Sequence, residues 1–253
     1  MPDLSLTKLK GIPLIQPGDD LVPILLEAAR ETNLVLADGD VLVIASKIVS
    51  KSEGRQVHLS DVRPGPRAHE LAGVTAKDAR EIELMLQEST EVVRARPGLI
   101  ITRHRLGFVS ANAGLDHSNV AGGDRDEVLL LPRDPDASAR AIRERLEQEA
   151  GASLGVIIAD SHGRPHRLGT VGVAIGVAGL TALEDWRGRV DLFGYTLQHT
   201  EVGLADLVAS AATLLLGQAM EGTPVVHVRG VPCAGQDGRA ADLVRPRELD
   251  LFQ

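Results

Sequence analysis

Two apolar runs stand almost back to back in the second half of the chain: GVIIA at 155–159 and TVGVAIGVAGL at 170–180, separated only by DSHGRPHRLG. A parallel crossover takes a dozen or more residues and usually a helix. Two strands this close are joined too tightly for a helical crossover, so a mixed sheet fits better than a purely parallel, doubly wound one. Elsewhere helical and strand patterns alternate. LKGIPLIQPG reads as a short strand ending at Pro17-Gly18, and Asp19 and Asp20 sit where an N-cap belongs, ahead of LVPILLEAARE. DVLVIA is a β-rich run that delivers Ser46 and Lys47 at its end. RPGPRAHEL punctuates the chain, and TAKDAREIELMLQEST reads as a helix. GLIITRHRLGFVSANAGLDHSNV and EVLLLP read as β-structure. Asp134 to Ala150 is a charged amphipathic helix with Ala139, Ile142 and Leu146 on one face. GLADLVASAATLLLGQAMEG makes an apolar helix, with Gln218 late in it, and TPVVHVRG a closing strand. The expectation is an α+β fold with mixed and antiparallel sheets.

A chain of 253 residues with 43% hydrophobic side chains can bury a large core, but only 2% are aromatic, so that core is aliphatic. Few rings also means little to stack bases on, and a formal net charge of −8 opposes both nucleic acid and anionic membrane. The single cysteine, Cys233, cannot close an internal disulfide and fits a reducing compartment. No apolar run is long enough to span a bilayer, and MPDLSLTKLK lacks the apolar middle of a signal peptide. The chain reads as a soluble cytoplasmic protein.

Familiar catalytic motifs are missing. There is no GxxxxGK[ST] and no GxGxxG between strand and helix, hence no P-loop and no Rossmann fingerprint. The glycines of GVAIGVAG read as close backbone approach within a strand. No CxxC, HExxH or serine-hydrolase elbow occurs. What remains is a set of oxygen ligands at chain bends: Asp160 and Ser161 after the VIIA run, Asp116 and Asn119 in a Gly/Asn-rich turn, and Gln218. Carboxylate, hydroxyl and amide oxygens suit magnesium or manganese, which complete their shells with water and substrate phosphates. Lys51, with Arg164 or Arg167, would offset phosphate charge. Each residue also has a plainer reading. Asp160-Ser161 could be a turn or cap, Asp116–Asn119 a loop, Gln218 a helix-end carbonyl partner. Ser46 and Lys51 could be a solvated helix start, and His162 and His166 surface histidines. Residue types and spacing alone end there.

Seven blocks in order carry a more specific signal: GIPLIQPGDDL, DGDVLVIASKIVSKSEGR, VSANAGLDHSNV, LLLPRDPDASA, GVIIADSHGRPHRLGTVGVAIGVAG, DLFGYTL and LLLGQAMEGTPVVHVRG. Together they resemble the F420-0:γ-glutamyl ligase family from about Lys10 to Gly230. The resemblance implies two interleaved α+β subdomains forming a homodimer, with a ligase domain over 1–230 and a tail over 231–253 that reads as a docking arm or a partly ordered end. It implies GTP-dependent addition of L-glutamate to coenzyme F420-0 through an acyl phosphate, with two magnesium or manganese ions and room for potassium. By the same resemblance Gly11, Ile12, Pro13 and Leu14 lie along the guanine nucleotide, and Ser46, Lys51 and Asn119 contact it, Lys51 at the phosphates. Leu216, Gly217, Gln218, Ala219, Met220, Glu221, Gly222 and Thr223 complete that pocket. Asp116, Asp160, Ser161 and Gln218 match the metal ligands, with Asp116, Asp160 and Lys51 central to the chemistry. The family often has Asp-Thr where this chain has Asp160-Ser161, and both supply a hydroxyl. Other readings of the same residues are a nucleotide-dependent ligase with a different acceptor, a non-catalytic GTP-binding protein and, more weakly, a divalent-metal phosphatase.

Overall fold

Val41–Ala45 (β2) and Gly155–Arg164 (β8) pair in parallel, Val41 opposite Gly155 through Ala45 opposite Ala159, at the centre of a five-stranded sheet. Ser5–Lys8 (β1) and Val225–Arg229 (β12) extend it on one side and Arg167–Ala178 (β9) on the other, in the order β1-β12-β2-β8-β9. Every other neighbour in it is antiparallel. The computed structural model describes residues 4–120, 126–232 and 237–251, so Cys233 lies outside them.

Both faces of the sheet are covered, which is why its strands are continuous apolar runs. Leu21–Glu31 (α1) and Pro135–Ala150 (α5) cover one face, against Leu42, Ile44, Val156 and Ile158. Leu204–Leu216 (α6) covers the other, against Val41, Val43, Ile157 and Ala159. Strand alternation makes this division, with even positions of β8 facing α5 and odd positions facing α6. Asp20 caps α1 through Val22 N–H and Asp134 caps α5 through Ala137 N–H; such caps each contribute about 1 kcal/mol. Ala139, Ile142 and Leu146 are the buried stripe of α5, as its periodicity predicts. The glycines of β9 do let backbones approach: a Cβ on Gly172 would meet Ala209 O at 2.7 Å, and one on Gly176 would meet Pro135 O at 2.3 Å.

The long connection from β2 to β8 holds a second layer. It contains Ser46–Ser52 (α2), Gln56–His58 (β3), Pro66–Thr75 (α3), Ala79–Gln87 (α4), Ser89–Arg96 (β4), Leu99–His104 (β5), Val109–Ala111 (β6) and Glu127–Leu129 (β7). The strands β4-β5-β6 form an antiparallel sheet under α3 and α4, with Ile82, Met85 and Ile100 at its core, and β3 pairs with β7. An α+β fold with mixed and antiparallel sheets is what the structure shows. Glu184–Asp185 (β10) and Glu201–Val202 (β11) frame a projecting arm.

Four local expectations need correcting. LKGIPLIQPG is not a strand: β1 ends at Lys8, and Gly11, at φ +75°, and Pro13, without an N–H, break the ladder. RPGPRAHEL is more than punctuation, because Pro66 occupies the first turn of α3, where its missing N–H costs nothing. Asp160 and Ser161 do not end their strand. The β8–β9 hairpin carries on to Arg164 opposite Arg167, turning at His166 with φ +60°. Gln218 is not in the helix: α6 stops at Leu216, and Gly217 turns the chain out with φ +76°. The tail is also ordered over 237–251, where Ala240 N–H donates to Asp136 and Arg247 pairs with Glu91. Among the described residues no helix is long and apolar enough to cross a membrane.

Candidate functional site

Two carboxylates far apart in sequence are held by two consecutive residues. The run β2 ends at Ala45, and the chain turns directly into α2 with Ser46 and Lys47 foremost. Ser46 is buried, and its Oγ donates to Asp160 Oδ1 at 2.8 Å. Lys47 Nζ lies 2.7 Å from Asp116 Oδ2, and it also donates to the carbonyl and hydroxyl oxygens of Ser118. Asp116 reaches this place through a tight approach. Asn112, Ala113 and Gly114 are all left-handed, at φ +53°, +52° and +67°, and a Cβ on Gly114 would meet Leu131 at 2.6 Å. A non-glycine residue such as Ala113 at positive φ is strained, and such strain collects at functional sites. Asp116 then pairs both backbone groups with Leu129, while Ser118 N–H donates to its Oδ1 at 2.6 Å. Burial raises the Asp116 carboxyl, but the Lys47 ammonium and the Ser118 N–H outweigh it and hold the group below its ordinary value. It stands ready as an anion.

Ser161 and Gln218 meet on the opposite face of the sheet. Asp160 and Ser161 are neighbours in β8, so their side chains diverge. Asp160 turns toward α2, where His162 Nε2 also approaches it at 3.1 Å. Ser161 turns toward the end of α6, where its Oγ lies 3.0 Å from Gln218 Oε1. The four oxygen ligands thus divide into Asp116 with Asp160 and Ser161 with Gln218, on either side of one strand. Among the described residues no three His, Cys, Asp or Glu side chains gather around one point. Two carboxylates, a hydroxyl and an amide oxygen form a donor set that fits a hard divalent cation drawing its other ligands from phosphate and water.

Lys51 closes the third side. Its Nζ donates to Asn119 O at 2.6 Å, and Asn119 Nδ2 donates to Ala219 O at 2.8 Å, so α2, the 116–119 turn and the 217–223 loop converge. Burial, then repulsion from Lys47, lowers the Lys51 ammonium below its usual value, and Glu127 offsets this only partly. Lys51 therefore faces the site with its charge only partly offset, beside Lys47, which is paired with Asp116. In the loop Ala219 N–H donates to Glu221 at 2.7 Å, Met220 is exposed, and Thr223 is buried with its hydroxyl on Glu221 O.

Some expected residues stand further off. Gly11 to Leu14 form a loop against α1, with Gly11 beside the Glu31 carboxylate and Leu14 exposed. It is tied to α2 through Gly18 N–H on Ser52 O at 2.9 Å. Arg164 folds back on its own hairpin, donating to Leu168 O at 3.0 Å, and Arg167 is exposed beside it. Sequence reasoning passes over Lys47 as a site residue although it follows Ser46 directly. The strand end that delivers one delivers both, and that is the signal. His162, whose plainer reading is a surface histidine, has a side chain 11% exposed and a ring 4.9 Å from that of Phe108.

Comparison with known proteins identifies the family. The family model described as F420-0:Gamma-glutamyl ligase matches residues 11–230. The chain is 46% identical over 252 residues to the coenzyme F420:L-glutamate ligase of Methanothermobacter thermautotrophicus, covering 99% of both. It is 47% identical to the protein of that name from Methanopyrus kandleri, covering all of both chains, and 41% identical to that of Archaeoglobus fulgidus, covering 97% and 94%. The chain belongs to the F420-0:γ-glutamyl ligase family.

Proposed function

We propose that this chain joins L-glutamate to the terminal carboxylate of coenzyme F420-0, using GTP and passing through an acyl phosphate. Family membership makes it an enzyme forming carbon–nitrogen bonds. The observation that carries the nucleotide reading is Lys51, partly buried four residues after Lys47, its ammonium hydrogen-bonded among the described residues to the Asn119 carbonyl and its charge disfavoured by burial and by Lys47. A polyphosphate would supply the missing negative charge.

An ionised carboxylate is a poor electrophile. The acceptor carboxylate oxygen attacks the γ-phosphorus of GTP, the bond to the β-phosphate oxygen breaks, and GDP leaves. The α-amine of glutamate then attacks the acyl carbon, the C–O bond to phosphate breaks, and the ammonium protons pass to solvent. The product is an amide with inorganic phosphate. Lys51 and Lys47 hold the transferred phosphoryl group, and Ser46, Asn119 and the 11–14 and 216–223 segments orient the nucleotide. Asp116, Asp160, Ser161 and Gln218 would hold magnesium or manganese. Such cations, when bound, screen phosphate charge during transfer. No protein nucleophile is used, and positioning with electrostatics supplies the catalysis. We further read the working unit as a homodimer, supported by apolar side chains exposed on the β10–β11 arm.

Mass spectrometry of F420-0 incubated with L-glutamate, GTP and manganese, beside ATP and nucleotide-free controls, tests this. Glutamyl adducts formed only with GTP are the expected result, and their ladder gives the number of residues added. GTP consumed without adducts means a different acceptor. Asp160→Ala removes turnover while keeping the fold, and normal turnover in that variant would remove Asp160 from the site.

A further inference from the structure

A cavity of about 350 Å³ lies beside the candidate reaction centre and shares His162 with it. His162 lines the cavity and also approaches Asp160 Oδ2 at 3.1 Å, so its ring borders both. The other walls are the β5–β6 turn with Phe108, the beginnings of α5 and α6, and the tail around Val244. The volume is at the lower end of the about 300–1,000 Å³ of small-molecule sites, which suits a free amino acid better than a nucleotide.

The polar groups on the walls are under-used. Asp206 accepts Ala174 N–H on Oδ1 at 2.8 Å, and its other oxygen has no hydrogen-bond partner among the described residues. Burial raises its carboxyl above the ordinary value, as expected of an anion short of counter-charge, while nearby His162 acts in the opposite sense. Arg103 Nε is buried and makes no hydrogen bond; it faces Glu91 at 3.6 Å, while Arg103 Nη2 faces Asp250 at 3.8 Å and Nη1 donates to Gly107 O at 3.4 Å. Arg245, on the tail, has no polar partner among the described residues. His162 Nε2 is likewise buried without a hydrogen bond, although it faces Asp160 Oδ2 at 3.1 Å. Native buried polar groups are nearly always satisfied, and two buried nitrogens on these walls, Arg103 Nε and His162 Nε2, make no hydrogen bond, which a ligand could supply.

The signs of these groups define the ligand. A triphosphate would meet Asp134, Asp136, Asp206 and Asp250 on the walls, with Arg103 and Arg245 too few to offset its several charges, and be repelled. A molecule carrying one ammonium and more than one carboxylate matches an open aspartate together with two guanidinium groups, because arginine forks bind carboxylates in paired hydrogen bonds.

We propose that this cavity binds the amino-acid substrate, an α-amino dicarboxylate, with Asp206 receiving its ammonium and Arg245 and Arg103 its carboxylates. The proposal rests on the ligase reading above. It also gives work to the tail, which lies beyond residues 11–230 matched by the family and is anchored by Ala240 on Asp136 and Asp250 beside Arg103.

Steady-state kinetics of the full chain, titrating L-glutamate at saturating GTP and F420-0, test it with Arg245→Ala and Asp206→Asn. Arg245 is exposed, and asparagine can still accept Ala174 N–H, so both variants should melt as the wild type does. The expected result is a glutamate KM raised about ten-fold or more in each, with the KM for GTP and kcat at saturating glutamate unchanged. An unchanged glutamate KM in both, or an equal rise in the GTP KM, overturns the assignment. Equilibrium dialysis of radiolabelled L-glutamate separates this from failure of the ligase reading. Binding to the wild type that is lost in Arg245→Ala supports the cavity even if no adduct forms, and absence of binding to the wild type sinks it.

Discussion

Ser161 Oγ and Gln218 Oε1 stand 3.0 Å apart, one on β8 and the other just past the turn that ends α6. A hydroxyl can donate one hydrogen bond to that amide oxygen and still offer lone pairs outward, so the pair forms a small oxygen-rich face. Gln218 is exposed, so removing its amide should cost little stability. Gln218→Leu is expected to melt within a degree or two of the wild type. Its manganese affinity, read by electron paramagnetic resonance of free Mn²⁺, should fall about ten-fold or more. Unchanged manganese binding would leave Ser161 and Gln218 as a structural contact only.

Lys47 and Asp116 make the second test. Lys47 sits 2.7 Å from a carboxylate whose burial alone would push it toward the neutral form. Lys47→Ala removes the main group opposing burial, so the Asp116 carboxyl should titrate at higher pH than in the wild type. A carbon-detected NMR titration of that carboxyl reads the shift directly. The same change takes an ammonium from the phosphate side of the site, and turnover should fall about a hundred-fold. A titration midpoint that stays put would mean that Ser118 N–H alone holds the anion.

The elements around this site differ in how plainly the sequence announces them. β2, β8 and β9 are continuous aliphatic runs because both faces of their sheet are covered, and α1 and α5 carry capping aspartates at Asp20 and Asp134. β4 is hidden, since STEVVRAR carries three charges in eight residues and lies on a sheet that buries only one side. Pro66 looks like a break until it is seen at the first turn of α3. Asp160 appears to end its strand because apolar character stops there, yet the hairpin ladder continues without it. The site itself is less legible still. Ser46 and Asp160, Lys51 and Asn119, and Asn119 and Ala219 are each brought together by folding across long stretches of chain, and no local spacing encodes those meetings. Resemblance of whole blocks named them, and the fold shows what holds each one.

Glu88 gives a pH-dependent prediction away from the reaction. It is buried where the second layer meets the 130–133 segment, with Arg55 at 2.8 Å, Arg105 at 3.0 Å and His104 at 3.6 Å. Burial opposes its charge, but His104, then Arg55 and Arg105, prevail and bring the carboxyl from 4.5 down to about 2. Because the folded value is the lower one, the unfolded chain takes up the proton first as pH falls. The stabilisation is therefore full above about 4.5 and is lost as pH drops toward about 2. It is on the order of 3 kcal/mol at neutral pH. Glu88→Gln should be less stable in urea at pH 7, and its deficit should shrink steadily between pH 4.5 and pH 2. A deficit that is constant across that window would mean that the network acts through packing and not through charge.

The arm between β10 and β11 carries the last prediction. Its backbone is an ordered hairpin, with Gly188 N–H on Leu197 O at 2.8 Å and Asp191 N–H on Tyr195 O at 2.9 Å. Trp186 lies under the Arg189 guanidinium at 4.7 Å. The tip beyond them is bare: Leu192 and Phe193 are 97% and 95% exposed, and Tyr195 and Val190 are also open to solvent. The chain has only three phenylalanines, one tryptophan and one tyrosine, and Trp186, Phe193 and Tyr195 all fall on this arm. A contiguous exposed apolar tip on an otherwise aliphatic-cored protein marks an association surface, where aromatic side chains contribute most. Light scattering at micromolar concentration should report a dimer for the wild type and a monomer for the double variant Leu192→Asp, Phe193→Asp. Circular dichroism should be unchanged, since neither side chain supports the fold. A wild type that is already monomeric, or a double variant that still dimerises, would take the arm out of any subunit interface.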